Sequence, residues 1–187
     1  MIELLKQEIN RLQALSIFNP SVNSLDNNQW LRIIEVFEKD YSRYYHGELI
    51  PSKIKYFPGL LATFCYRIAR ELYLSNNEEE ALEFSSLGFS LTSIEIYYTS
   101  QIGSYFKINH GIGTVIGAHT KIGNNALLHH SITIGEKNGG RAEIGNKVII
   151  YPCTIIVGPI KIGDNSIIGA NLFIDKSYPD NSIINQI

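Results

Sequence analysis

Between Glu95 and Arg141 the chain gathers His110, His119, His129 and His130, four of its five histidines. Imidazole titrates closest to neutrality, so it can take a proton from a hydroxyl and return it within one turnover, above all when a carboxylate fixes its tautomer. His129 and His130 are consecutive. On an extended strand they face opposite ways and cannot both ligate one ion, so no metal site is expected here. His110 stands apart: the stretch INHGIGTVIG at 108–117 breaks a regular run of Ile-Gly pairs, and the histidine falls in the break. The two cysteines, Cys65 and Cys153, are too few and too far apart to form a disulfide framework.

The scaffold that must hold these residues is written in a six-residue period. Ile96, Ile102 and Ile108 are six apart; so are Ile116, Ile122, Leu128 and Ile134, and then Ile144, Ile150, Ile156, Ile162, Ile168 and Ile174. The register slips twice, by two residues after Ile108 and by four after Ile134. Glycine follows many of these aliphatics, and small residues such as Thr120, Ala126, Thr154 and Ser166 sit four positions on. A period of six fits neither a helix nor a simple alternating strand. It fits a solenoid with flat sides six residues long, three sides making an 18-residue coil, with coils stacked about 4.8 Å apart. Gly and Asn at the corners supply the positive φ that a sharp turn needs.

Residues 1–92 read as an α-helical domain and residues 93–187 as the solenoid domain. Ile2, Leu5, Ile9 and Leu12 share one helix face, and Pro20 follows. A second helix over WLRIIEVFEKDYSRYY begins after the capping side chains of Ser24 and Asp26. A third follows Pro58-Gly59, with Leu61, Cys65, Ile68 and Leu72 on one stripe; Asn76-Asn77 ends it, and EEEALEFSSLGF adds a short fourth with an acidic start. These stripes are read as helix-on-helix core. A net charge of −2 gives no polyphosphate-binding surface, so nucleic acid is not an expected partner. The charged N-terminus and the lack of any apolar run of about 18–20 residues point away from a signal peptide and a membrane span, and the expected location is the cytoplasm.

Three segments carry a resemblance to a known family over about residues 35–183. They are YFPGLLATFCYRIARELY, IEIYYTSQIGSYFKINHGIGTVIG and the extended turn IGEKNGGRAEIG. The chain resembles the serine acetyltransferases, a family of hexapeptide-repeat acyltransferases. The resemblance implies a mainly β fold with a helical N-terminus, the solenoid being a left-handed parallel β-helix. It implies acetyl transfer from acetyl-CoA to serine or a related small amino-acid-like hydroxyl acceptor, with acetyl-CoA as co-substrate and no metal. On the matching positions His110 is the catalytic base and Glu95 the carboxylate that orients it. Arg141 holds the acceptor's carboxylate, while Asn109 and, on a weaker match, Asp40 lie beside the acceptor. Gly135, Cys153 and Ala170 fall where coenzyme A is bound, in a cleft between two solenoids.

The departures cluster at one place. Asn109 stands where the family has an aspartate, Ala142 where it has a histidine, and Glu95 is one methylene longer than the family's aspartate. The resemblance further implies a homo-trimer or a dimer of trimers, and a C-terminal Ile187 of the kind that docks into a partner sulfhydrylase. An alternative to an enzyme is a degenerate, non-catalytic solenoid acting as a binding or assembly module.

Overall fold

A computed structural model describes residues 1–185. Ile187, on which docking to a sulfhydrylase would depend, lies outside the described residues. The helical part comprises α1 (Ile2–Gln13), α2 (Asn27–Tyr41), a 3-10 turn (Pro51–Tyr56), α3 (Pro58–Leu74) and α4 (Glu78–Thr92). Asp26 starts α2 with a reciprocal cap: its carboxylate accepts from the Gln29 amide N–H, and the Gln29 side chain accepts from the Asp26 N–H. Pro58 supplies the first turn of α3. The fourth helix is not short. It runs past Gly88, because that glycine lets it lie directly on α3, where an added Cβ would sit 2.9 Å from Cys65 Cβ. Trp30, Phe37, Phe64 and Phe84 fill the core between the helices. No helix among the described residues is long and apolar enough to cross a membrane.

From Glu95 onward the chain winds as a three-sided parallel β-helix of fourteen very short described strands, β1 (Glu95–Ile96) to β14 (Ile183–Ile184). Face A stacks β1, β4, β7, β10 and β13; face B stacks β2, β5, β8 and β11; face C stacks β3, β6, β9, β12 and β14. The register is the one the six-residue period demands: Ile116 pairs with Ile134, Ile144 with Ile162 and Ile150 with Ile168, eighteen residues apart in each case. The two slips lengthen a coil without disturbing the stack, so that Ile96 pairs with Ile116 and Ile122 with Ile144. All thirteen aliphatics of the repeat are buried. At the B-to-C corner an Asn/Asp ladder ties the coils. The Asn124, Asn146, Asp164 and Asp180 side chains each accept a backbone N–H from the coil before, at 2.8–2.9 Å.

The helices sit on the open end of the first coil and are fastened to it by buried polar groups. Tyr66 donates its hydroxyl to the Ser100 carbonyl at 2.9 Å and accepts the Ile102 N–H at 3.1 Å. Tyr44 makes the same two-way bond with the Ile108 backbone, 2.9 Å each way. Gly59 is required at this seam, since a Cβ there would lie 2.2 Å from the Ile108 carbonyl oxygen. The last strand before the histidine is thereby held rigidly against α3.

Candidate active site

The corners of the β-helix decide which side chains reach the surface. A typical corner places a left-handed residue three positions after the inward aliphatic, as at Tyr105, His119, Asn125, Ser131, Cys153 and Asn165. His119 and Cys153 therefore both occupy ordinary corner positions. The corner after β3 is built differently. His110 itself has φ 65°, and Gly111 and Gly113 follow with φ 77° and 72°. The two added residues make a wider loop, which leaves His110 exposed while Thr114 and Ile116 return to the interior. The neighbouring Gly111 must remain glycine, because a Cβ would lie 2.4 Å from Ile94 Cδ1.

His110 opens onto a pocket of about 240 Å³ between the helical part and the β-helix, lined by Tyr44, Tyr56, Phe57, Lys107 and Asn109 among others. Lys107 Nζ donates to the Arg43 carbonyl at 2.8 Å and lies 4.9 Å above the Tyr44 ring. Burial pulls the Lys107 ammonium below its ordinary value, with the Arg43 charge adding to the effect. One coil further on, the His130 ring stands edge-on at 6.4 Å from the His110 ring, and His129 stacks on Tyr151 at 5.1 Å. Burial, then the neighbouring His130 and His110, lower the His129 imidazole from its usual value. Among the described residues no group of three ligating side chains is arranged to hold a metal ion.

The residues singled out by the sequence are distributed unequally. Asn109 and His110 share the pocket. Cys153 and Ala170 lie further down the same C-to-A corner; their loops are stitched through Cys153 N–H to the His130 carbonyl and Asn171 N–H to the Pro152 carbonyl. Glu95 is close in backbone terms, since its N–H donates to the Thr114 carbonyl and Gly113 N–H donates to Ser93. Its side chain, however, lines a separate groove with Leu82, Ser85, Phe89 and Tyr97 under α4, and no hydrogen bond joins it to His110. Gly135 ends β7, and Arg141 ends the turn that follows, so both lie at the A-to-B corner. There Arg141 donates from Nε to the Ala118 carbonyl at 2.9 Å and pairs with Glu136 at 3.2 Å. A side six residues long spans about 20 Å, so Arg141 and His110 of one chain sit at opposite edges of face A.

Two expectations change on this geometry. Asp40 does not line the His110 pocket: it is fully buried, and its carboxylate accepts from Arg67 Nε at 2.8 Å, from Arg67 Nη2 at 3.2 Å and from the Phe106 N–H at 2.8 Å. Burial pushes the Asp40 carboxyl above its ordinary value, and the Arg67 guanidinium opposes this. Arg67 also reaches the Ile102 and Gly103 carbonyls at 2.7 and 2.6 Å, which makes the pair a buried clamp between α2, α3 and the first coil. Ala142 likewise turns its side chain inward, away from the surface. It is fully buried two residues before inward Ile144, in the position Thr120 and Ser100 hold in other coils. A histidine there would point into the core. Lys107, Tyr44 and the Phe57 turn went unassigned in the sequence; the Pro58-Gly59 pair beside them was the available signal, since close backbone approach needs glycine.

The bacterial transferase hexapeptide (six repeats) family matches residues 141–176. The serine acetyltransferase of Helicobacter pylori is 34% identical over 130 residues, which span 67% of this chain and 76% of that protein. The chain belongs to the serine acetyltransferase family. The enzyme of Staphylococcus epidermidis is 35% identical over 148 residues, spanning 77% of this chain and 68% of that one. Serine acetyltransferase isoform 3 of Entamoeba histolytica, solved in complex with cysteine, superposes with a TM-score of 0.79 at 31% identity, over 86% of this chain and 60% of that one. Membership makes the chain an acyltransferase and the solenoid a left-handed β-helix of hexapeptide repeats.

Proposed function

We propose that the protein transfers acetyl from acetyl-CoA to the hydroxyl of serine or a related small acceptor, with His110 as the base and the site completed between subunits. The observation that carries this reading is His110 itself: an exposed imidazole in a widened corner, beside a pocket of about 240 Å³, in a chain of this family. The acceptor hydroxyl gives its proton to His110 as its oxygen attacks the thioester carbonyl. The tetrahedral intermediate then collapses, the C–S bond breaks, and the imidazolium returns the proton to the departing thiolate. Glu95, on the strand bonded to the loop that carries His110, is the carboxylate assigned to orient the ring, a role that requires its side chain to swing out of the groove under α4.

Arg141 and Gly135 are assigned to the same site from a neighbouring copy, in a homo-trimer or a pair of trimers. Their place at the far edge of face A supports this, because the C-to-A corner of one solenoid can meet the A-to-B corner of the next. Exposed apolar side chains continue along both faces beside the C-to-A edge: Ile112 in the histidine loop itself and, further down the stack, Ile155 and Phe173 on face A and Ile183 on face C. Coenzyme A is assigned to the cleft running past His130, Cys153 and Ala170.

The test is His110→Ala, assayed by thiol release from acetyl-CoA in the presence of acceptor. Loss of a general base costs about 10²–10⁴-fold, so turnover should fall at least 10²-fold with the circular dichroism unchanged. A variant of parental activity would sink the mechanism. Sedimentation should give a mass of three or six chains of 21.1 kDa.

A further inference from the structure

We propose that the pocket beside His110 selects a small hydroxylated carboxylate without a free ammonium group, the frame of serine with its α-nitrogen absent or acylated. The inference rests on the acetyl-transfer reading above and concerns only the acceptor. An ammonium group withdrawn from water into a pocket needs a carboxylate to replace its hydration. Among the described residues lining this pocket there is none: its polar side chains are Lys107, Asn109, His110 and the tyrosines 44 and 56.

Neither carboxylate that the sequence placed at the site belongs to this lining. Asp40 is fully buried and bonded to Arg67 and the Phe106 N–H, and Glu95, assigned above to the His110 ring and not to the acceptor, lines the groove under α4. The Tyr44 hydroxyl is used on both sides by the Ile108 backbone. What the pocket does present is a cation. Lys107 Nζ spends one donor on the Arg43 carbonyl and has two left, which suit an acceptor's carboxylate and repel its ammonium. Asn109 presents a neutral amide where an aspartate of the same shape would attract one.

The experiment compares L-serine with 3-hydroxypropionate, its des-amino counterpart, and with N-acetyl-L-serine, using the full chain, acetyl-CoA and thiol release. We expect kcat/KM for 3-hydroxypropionate or N-acetyl-L-serine to exceed that for L-serine at least 10-fold. Asn109→Asp should move the ratio at least 10-fold toward L-serine. Lys107→Gln should raise KM for 3-hydroxypropionate more than it lowers kcat. Preference for L-serine, equal use, or an Asn109→Asp ratio that does not move would overturn the inference. Should no acceptor turn over, saturation-transfer NMR with the same compounds decides it by which one binds. Calorimetry with acetyl-CoA separates the two failures: no binding refutes acetyl transfer, whereas binding with a serine preference refutes only the acceptor class.

Discussion

Asp40→Ala separates two incompatible roles for one carboxylate. If Asp40 contacted an acceptor, the variant would fold normally and lose acceptor affinity. In the structure it is instead the counter-ion of Arg67, wholly buried, with three donors aimed at it from 2.8 to 3.2 Å. Removing one member of a buried pair costs about 3–5 kcal/mol, because the other charge is left unpaired. Two bonds from Arg67 to the Ile102 and Gly103 carbonyls survive the substitution and keep the guanidinium partly satisfied. The expected loss is therefore at the lower end, about 3 kcal/mol, or about a 150-fold shift toward the unfolded chain. Trp30 is the protein's one tryptophan and is buried among the helices, so its fluorescence in a urea titration reads the part that the clamp secures. Adding Arg67→Met should restore part of the loss, since the double variant removes both charges. A single variant within about 1 kcal/mol of the parent, combined with a raised acceptor KM, would refute the clamp and return Asp40 to the binding site.

Two further outcomes follow from particular side chains. Ala142→His should not improve serine turnover; it should destabilise the solenoid by about 1–3 kcal/mol, the usual cost of overpacking a filled core, and a stable variant with better serine kinetics would show that the position faces substrate. His129 is held below its ordinary value first by burial and then by His130 and His110, so between its folded value and the unfolded one near 6.5 the unfolded chain binds more protons. Its contribution is then present above pH 6.5 and lost as the pH falls through the folded value. Melting temperatures between pH 7.5 and 5.5 should decline, and His129→Gln should flatten that decline; an identical slope in the variant would exclude His129 as its source.

How much of this was legible in the sequence follows from the range over which each feature is determined. The β-helix is a local rule repeated: every six residues an aliphatic turns inward, so its register, its corners and the break at His110 could be read directly, and the structure pairs the same thirteen aliphatics. Asp40 could not be read this way, because its partner lies 27 residues on in another helix and its third donor 66 residues on in the first coil. Ala142 was misjudged for the opposite reason. Residue types were matched by their order along the extended turn, whereas the six-residue register, anchored on Ile144, already places 142 inside. The same logic bears on the catalytic pair. Glu95 and His110 were joined by their fifteen-residue separation, yet the side chains line different grooves of one chain, and Arg141 lies an entire face away. A coil spacing fixes which backbone segments are adjacent but not which side chains meet, and it says nothing about residues supplied by another copy. The helical part adds what the repeat leaves open: Tyr44 and Gly59 hold the Ile108 backbone from outside, so one wall of the pocket beside His110 comes from residues belonging to no repeat, and there a shared scaffold is free to vary.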